Sequence, residues 1–303
     1  MSIQLSYSAA SKYKMSPRAY YLHYILRLRS ETLSSPLFFG NAIDLGLNTL
    51  LIQKMKNEEI NPTLAQEEFL RAWRTSEVDG KTVKLSEPNC IKFSKSDYDE
   101  SVFTDEDFEM VTSSQSFDPS WVSLRRKGLM MIDAYAEQVL PRIKEVLFVQ
   151  KSIKMTNSDG HTFVGFIDFC ARFEDNKVYI FDNKTSSIKY ADDSVQTSEQ
   201  LATYYEAMTE ELKIDGAGYV IIPKKIRKAK LPRVPIEIKT GEISEKLIEK
   251  TFQMYDNVLQ GIKMGNFECN PEGCCSQPWP CSYKTYCRSN GKDLTGLVYY
   301  QKK

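Results

Sequence analysis

The chain has 303 residues, 42% of them hydrophobic and 26% charged, with 40 basic and 40 acidic side chains. That length and composition can bury a sizeable core, which excludes an unfolded tail. A net charge of zero excludes a uniformly basic, histone-like DNA coat, though charge separation can still create a local basic groove.

Near the N-terminus, Ser6 and Ser8 precede Tyr13, Tyr20, Tyr21, Tyr24 and Leu28 at helical spacing. They predict a short helix, then a second one opening at Pro17 and running to about Arg29. Residues 31–36 read as a turn-like break. Leu37 to about Lys56 reads as a long helix containing Gly40 and Gly46, where close packing or an approaching ligand would explain glycine. Another helix is predicted over 63–74. Residues 75–120 are polar, with Asp97, Asp99, Glu100, Asp105, Glu106, Asp107 and Glu109. They read as a surface loop with short elements, with a solvated acidic insertion or a mobile cover as the alternatives. Trp121 to about Gln138 returns to a helical pattern.

After Pro141 the period shortens. Val146 to Met155, His161 to Phe173 and Lys177 to Asn183 are β-rich runs, with turns at Gly160 and Asp175-Asn176. Gln196 to Lys213 reads as helix, Gly216 to Pro223 as a buried strand, Ile236 to Lys239 as an outer strand, and Ser244 to Lys263 as a final helix. This order favours one α/β domain over 1–303. No run approaches the ~18 apolar residues of a membrane span. The N-terminus lacks a secretory pattern. The expectation is a cytoplasmic protein with no membrane partner.

The sharpest chemistry lies in GFIDFCARFEDNKVYIFDNKT. Asp168 falls inside one strand; Asp182 and Lys184 close the next and share a face. Two clustered carboxylates repel unless neutralised, and a hard ion such as Mg²⁺ or Mn²⁺ does this with oxygen ligands. Such an ion polarises a phosphodiester and activates water. Lys184 can stabilise developing phosphate charge. Downstream, Gln200 and Tyr204 are four apart on one helical face. The bland reading makes the two aspartates turn caps and Lys184 a surface lysine.

This ordered series resembles the PD-(D/E)XK nuclease superfamily, in its RecB-like branch, which includes CRISPR-adaptation exonucleases and many phage and bacterial proteins. The matching residues are Gly165 with Asp168, then Asp182-Asn183-Lys184, then Gln200 with Tyr204. LSYSAASKYKMSPRAYYLHYILRLR is similar to that family's opening helix, and FFGNAIDLGLN to the helix that delivers a metal-binding histidine. The resemblance implies a restriction-endonuclease-like α/β core: a small mixed sheet flanked by helices, a helical N-terminal part and a C-terminal cysteine-rich strap. It implies Mg²⁺ or Mn²⁺ ligands at Asp168, Asp182 and the Asn183 backbone carbonyl, with Lys184 beside the nucleophilic water. Asp44 stands where the histidine is expected, and an aspartate can take over as a metal ligand. Gln150 stands near the place of an upstream acid.

The implied activity is a DNA exonuclease in replication, recombination or processing, acting on single-stranded or end-containing DNA beside recombination or replication proteins. A non-catalytic DNA-binding or assembly subunit, or a structure-specific endonuclease, would use the same fold.

The seven cysteines are uneven: Cys90 and Cys170 are solitary, while Cys269, Cys274, Cys275, Cys281 and Cys287 crowd the end. In a reducing compartment such crowding reads as metal binding. The resemblance implies a [4Fe-4S] cluster using a cysteine just before the opening proline, but Ser16 stands there. Zn²⁺, an iron–sulfur cluster with a local fourth cysteine, and metal-free thiols or disulfides all remain open. For DNA contact, the basic run from Lys224 to Arg233 and the group Arg125, Arg126 and Lys127 are candidates.

Overall fold

The computed structural model describes residues 2–78, 81–84, 91–114, 116–228, 233–276 and 281–300, with backbone alone over 75–78 and 81–84. Cys90, Lys230 and the Pro278-Trp279-Pro280 stretch of the strap lie outside the described residues.

Strand β1 (Gln4–Ser6) leads into helix α1 (Tyr7–Met15), where the Ser6 hydroxyl caps the Ala9 N–H. Ser16 ends that helix and caps α2 (Pro17–Tyr20), with Pro17 at its first position. A π-helical turn (Tyr21–Ile25) follows. The predicted helix stops short of Arg29, because Arg27 adopts a φ of 56° and turns the chain into β2 (Leu28–Ser30).

Short strand β3 (Leu33–Ser34) precedes α3 (Ser35–Met55) and α4 (Pro62–Arg74). β4 (Thr75–Val78) and β5 (Lys81–Lys84) pair antiparallel. β6 (Ile91–Lys92) joins β3, and α5 (Asp105–Thr112) and α6 (Pro119–Gln138) complete the helical layer. Gly46 permits the close approach of α3: an added Cβ would meet Ile132 Cδ1 at 2.7 Å and the Ala65 carbonyl at 3.0 Å. Gly40 has open space instead.

The main sheet contains β1, β7 (Ile143–Thr156), β8 (Thr162–Phe173), β9 (Val178–Ser186), β10 (Gly216–Pro223) and β11 (Glu237–Gly241). β7–β8 and β8–β9 are antiparallel. β9–β10 is parallel, with α7 (Glu199–Met208) in the crossover, and β10–β11 is antiparallel. Phe169, Phe181 and Val220 bury one sheet face under α3, α4 and α6. Ile180, Leu201 and Ala217 form a core with α7 on the other. Helix α8 (Glu245–Lys263) covers the α1 side. The strap supplies α9 (Pro271–Cys274), α10 (Lys284–Arg288) and β12 (Leu297–Tyr299), the last paired with β2. The expected mixed α/β core, helical N-terminal part and cysteine-rich strap are therefore present.

The acidic stretch differs from a solvated cover. Its described part folds onto the helical layer through buried aspartates. Asp97 accepts from the Ser35 hydroxyl at 2.6 Å and the Ser94 N–H at 2.7 Å. Asp107 closes a capping box with Thr104 and pairs with Arg125 at 3.0 Å. Sequence polarity reads as exposure, but these charges are compensated inside.

Candidate active site

β8 carries the site because one of its edges is interrupted. β7 pairs with β8 along its full length on one edge. On the other, β1 occupies residues 162–164 and β9 occupies 169–172. Gly165 to Asp168 lie in the gap between them. β8 and β9 part after the Phe169–Phe181 pair, so Asp168 stands at the fork. Its carboxylate replaces the next ladder bond, with the Asn183 N–H donating to Asp168 Oδ2 at 2.7 Å.

Strand alternation sorts the next residues. Tyr179, Phe181 and Asn183 face the helical layer, where the Tyr135 hydroxyl of α6 donates to Asn183 Oδ1 at 3.2 Å. Asp182 and Lys184 face α7. Asp182, only 4% exposed, accepts from Gln200 Nε2 at 2.9 Å through Oδ1. The Lys184 ammonium lies 2.6 Å from Oδ2 in an ion pair. That oxygen is buried and has no aligned hydrogen-bond donor. Gln200 also donates to the Tyr204 hydroxyl at 2.9 Å, which fixes the amide's direction. Gly165 leaves room for that tyrosine, since a Cβ there would come within 3.0 Å of Tyr204 Cε1.

Three carboxyls strain one another here. Burial, then the charge of Asp182, pushes Asp44 up to about 7, against a partial offset from Lys184. Burial, then Asp182 and Asp44, holds Asp168 well above the usual carboxylate range. Burial raises Asp182 as well, with Lys184 opposing it. For Lys184, burial pulls downward, but Asp182 more than offsets this and the ammonium is held protonated. A bound cation would relieve all three carboxyls at once, and the underused Asp182 oxygen faces the same group. The donor set therefore fits a hard divalent ion.

Asn48, one helical turn beyond Asp44, joins this group. Gln150 opposes Asp168 at an irregular point of β7 and takes a φ of 51°. Its Nε2 donates to Asp168 Oδ1 and Asn48 Oδ1, each at 3.3 Å. Sequence reading noted Gln150 only as a missing acid and did not single out Asn48 or Tyr135. The i, i+4 spacing from Asp44 was the available signal for Asn48.

Elsewhere, the structure brings Cys274, Cys275 and Cys281 together, with Cys287 half-buried and Cys269 exposed nearby. This C-terminal cluster can coordinate a metal ion. Arg125 and Lys127 are not a free basic patch: Arg125 pairs with Asp107, and the buried Lys127 ammonium donates to the Asp97 carbonyl at 3.1 Å. In the other basic run, Lys224 is half-buried over the Phe39 ring, while Lys225, Arg227 and Lys228 are exposed. Tyr20 and Tyr21 pack on Phe267.

A sequence profile of the PD-(D/E)XK nuclease superfamily matches residues 4–288, and the chain belongs to that superfamily. Among solved structures, it is similar to a Eubacterium rectale protein provisionally named as an exonuclease. That match has 11% identity, a TM-score of 0.50, and covers 99% of this chain and 90% of the other, which shows a shared fold. A second match, to the protein SSO0001, has 14% identity and a TM-score of 0.26. It covers 37% of this chain and about half (49%) of SSO0001. No curated protein matches significantly. No helix among the described residues is long and apolar enough to cross a membrane.

Proposed function

We propose that this chain is a metal-dependent DNA nuclease of the RecB-like branch, acting as an exonuclease within a single domain over 1–303. The observation that carries this reading is the buried Asp182 carboxylate, held between the Lys184 ammonium and the Gln200 amide, beside Asp168 at the strand fork. The exonuclease naming of the Eubacterium rectale protein supports the direction.

Asp44, Asp168, Asp182 and the Asn183 backbone carbonyl would hold Mg²⁺ or Mn²⁺. Such an ion supplies Lewis-acid polarisation and an activated water. Lys184 carries a fixed positive charge at the place where phosphate oxygens gain negative charge. Gln200 orients Asp182, and Tyr204 orients Gln200. The Asn183 N–H and Gln150 orient Asp168. Lys225, Arg227 and Lys228 offer exposed charge to a phosphate backbone. DNA ends or single strands are the substrate in this reading, with recombination or replication proteins as partners.

The test is hydrolysis of end-labelled single- and double-stranded DNA, linear and closed circular, with Mg²⁺ or Mn²⁺. Wild type should shorten linear DNA, and Lys184→Ala should not. Equal cleavage by the variant refutes the site. No cleavage by wild type refutes catalysis, and cleavage of circles refutes end dependence.

A further inference from the structure

Five C-terminal thiols take no part in the proposed hydrolysis, and their arrangement defines a separate site. We propose that Cys274, Cys275 and Cys281 supply three thiolates to a mononuclear Zn²⁺ centre, with the fourth ligand coming from a flanking cysteine, Cys269 or Cys287.

Cys274 ends α9, a short turn capped by Asn270, and Cys275 follows it. Cys281 approaches from the far side of the strap. The three sulfurs lie within 4.8 Å of one another, and Cys274 Sγ and Cys281 Sγ are 2.9 Å apart. Tetrahedral zinc holds thiolates at about 2.3 Å, which sets neighbouring sulfurs at about 3.8 Å. Small side-chain rotations take these sulfurs to three corners of such a tetrahedron. A cubane iron–sulfur cluster puts each cysteine on a separate iron and spreads the sulfurs wider. The observed crowding fits one ion.

The local chemistry asks for a cation. Several thiolates cannot share this space without positive charge. Cys269 is exposed and Cys287 half-buried on either side of the cluster, and either can supply the fourth donor. Ser16 is not a ligand. It is buried, and its hydroxyl accepts from the Ala19 N–H at 3.3 Å as a helix cap.

The centre would staple the strap across the α1–α2 joint. There the Arg18 N–H donates to the Glu268 carbonyl at 3.0 Å, and Asn270 Nδ2 to the Met15 carbonyl at 3.2 Å. Ala19, Leu22, Leu28, Tyr283 and Tyr286 fill the space between. Chelation would loosen this seam before it reached the sheet.

The test uses the full-length chain from cells supplied with both iron and zinc. Elemental analysis should find about one zinc per chain and no absorption near ~400 nm. Cys274→Ser and Cys281→Ser should each lower zinc affinity about tenfold or more, while Cys170→Ala retains it. Chelator-stripped wild type should melt at a lower temperature and recover on adding Zn²⁺. Should Cys281→Ser fail to fold, Co²⁺ added to stripped wild type must still give thiolate-to-cobalt absorption. Brown protein containing iron and sulfide would overturn the mononuclear centre. So would a folded chain that takes up neither Zn²⁺ nor Co²⁺. Unchanged zinc affinity in a folded Cys281→Ser chain would overturn the three-thiolate set. None of these readouts depends on DNA cleavage, so the nuclease reading stands or falls separately.

Discussion

Asp44→Asn probes the acidic group through stability instead of catalysis. In the folded chain Asp44 titrates near 7, against an ordinary value of 3.8. The folded state therefore binds a proton that the unfolded state releases earlier. Stability falls as pH rises between those two values and stays lower above them. Integrated from pH 5 to pH 8, Asp44 alone should remove about 2.5 kcal/mol. The asparagine variant lacks this loss and also relieves Asp168 of one negative neighbour. In EDTA it should therefore be more stable than wild type at pH 8, with the two curves drawing together as pH falls and meeting only near about pH 4. Urea unfolding followed by tryptophan fluorescence suits the test, because Trp73 and Trp121 stack at 5.7 Å inside the helical core. Saturating Mg²⁺ should shrink the difference at pH 8 by stabilising wild type more. Parallel pH profiles for the two proteins in EDTA would refute the account of Asp44.

Lys184→Ala should lower kcat on linear DNA by about 100- to 1000-fold, measured under single-turnover conditions. Gln150→Glu adds a carboxylate beside Asp168. It should lower the melting temperature in EDTA yet strengthen Mn²⁺ binding, seen by titrating the melting temperature with the ion. Gly46→Ala drives a methyl towards Ile132 and the Ala65 carbonyl, and should cost about 1–3 kcal/mol in urea unfolding. Arg125→Ala removes the nearer guanidinium from buried Asp107, leaving Arg126 at 4.0 Å and the Thr104 bonds, and should cost about 1–3 kcal/mol in the same assay.

The long periodic elements were legible from the sequence. Helix α3, strand β8, strand β10 and helix α8 fall within a few residues of their expected bounds because one apolar pattern dominates each. Strand alternation made a shared face for Asp182 and Lys184 legible, and the grouping of Asp168, Asp182, Lys184, Gln200 and Tyr204 was legible through the family resemblance. Other features were hidden. β1 is three residues long and takes its identity from a distant partner, so no local period announces it. The buried Asp97 and Asp107 look like surface charges until their donors are seen. Gln150 owes its role to an irregular point in β7, which side-chain type alone does not encode. The helix predicted to Arg29 failed because the left-handed Arg27 redirects the backbone in a way composition does not mark.

The first strand has a consequence for how the molecule is made. β1 is synthesised well before its partners at Thr162–Val164, which lie 158 positions later. It has nowhere in the sheet to dock until β7 and β8 have emerged and paired. Until then one side of the notch at Gly165–Asp168 has no frame. Ile3 tightens the return, its N–H donating to the buried His161 Nδ1 at 3.1 Å. The carboxylate pocket is thus framed on one side by a segment made long before its partners and docked late, so a growing polypeptide carries the residues of the site before it carries the site.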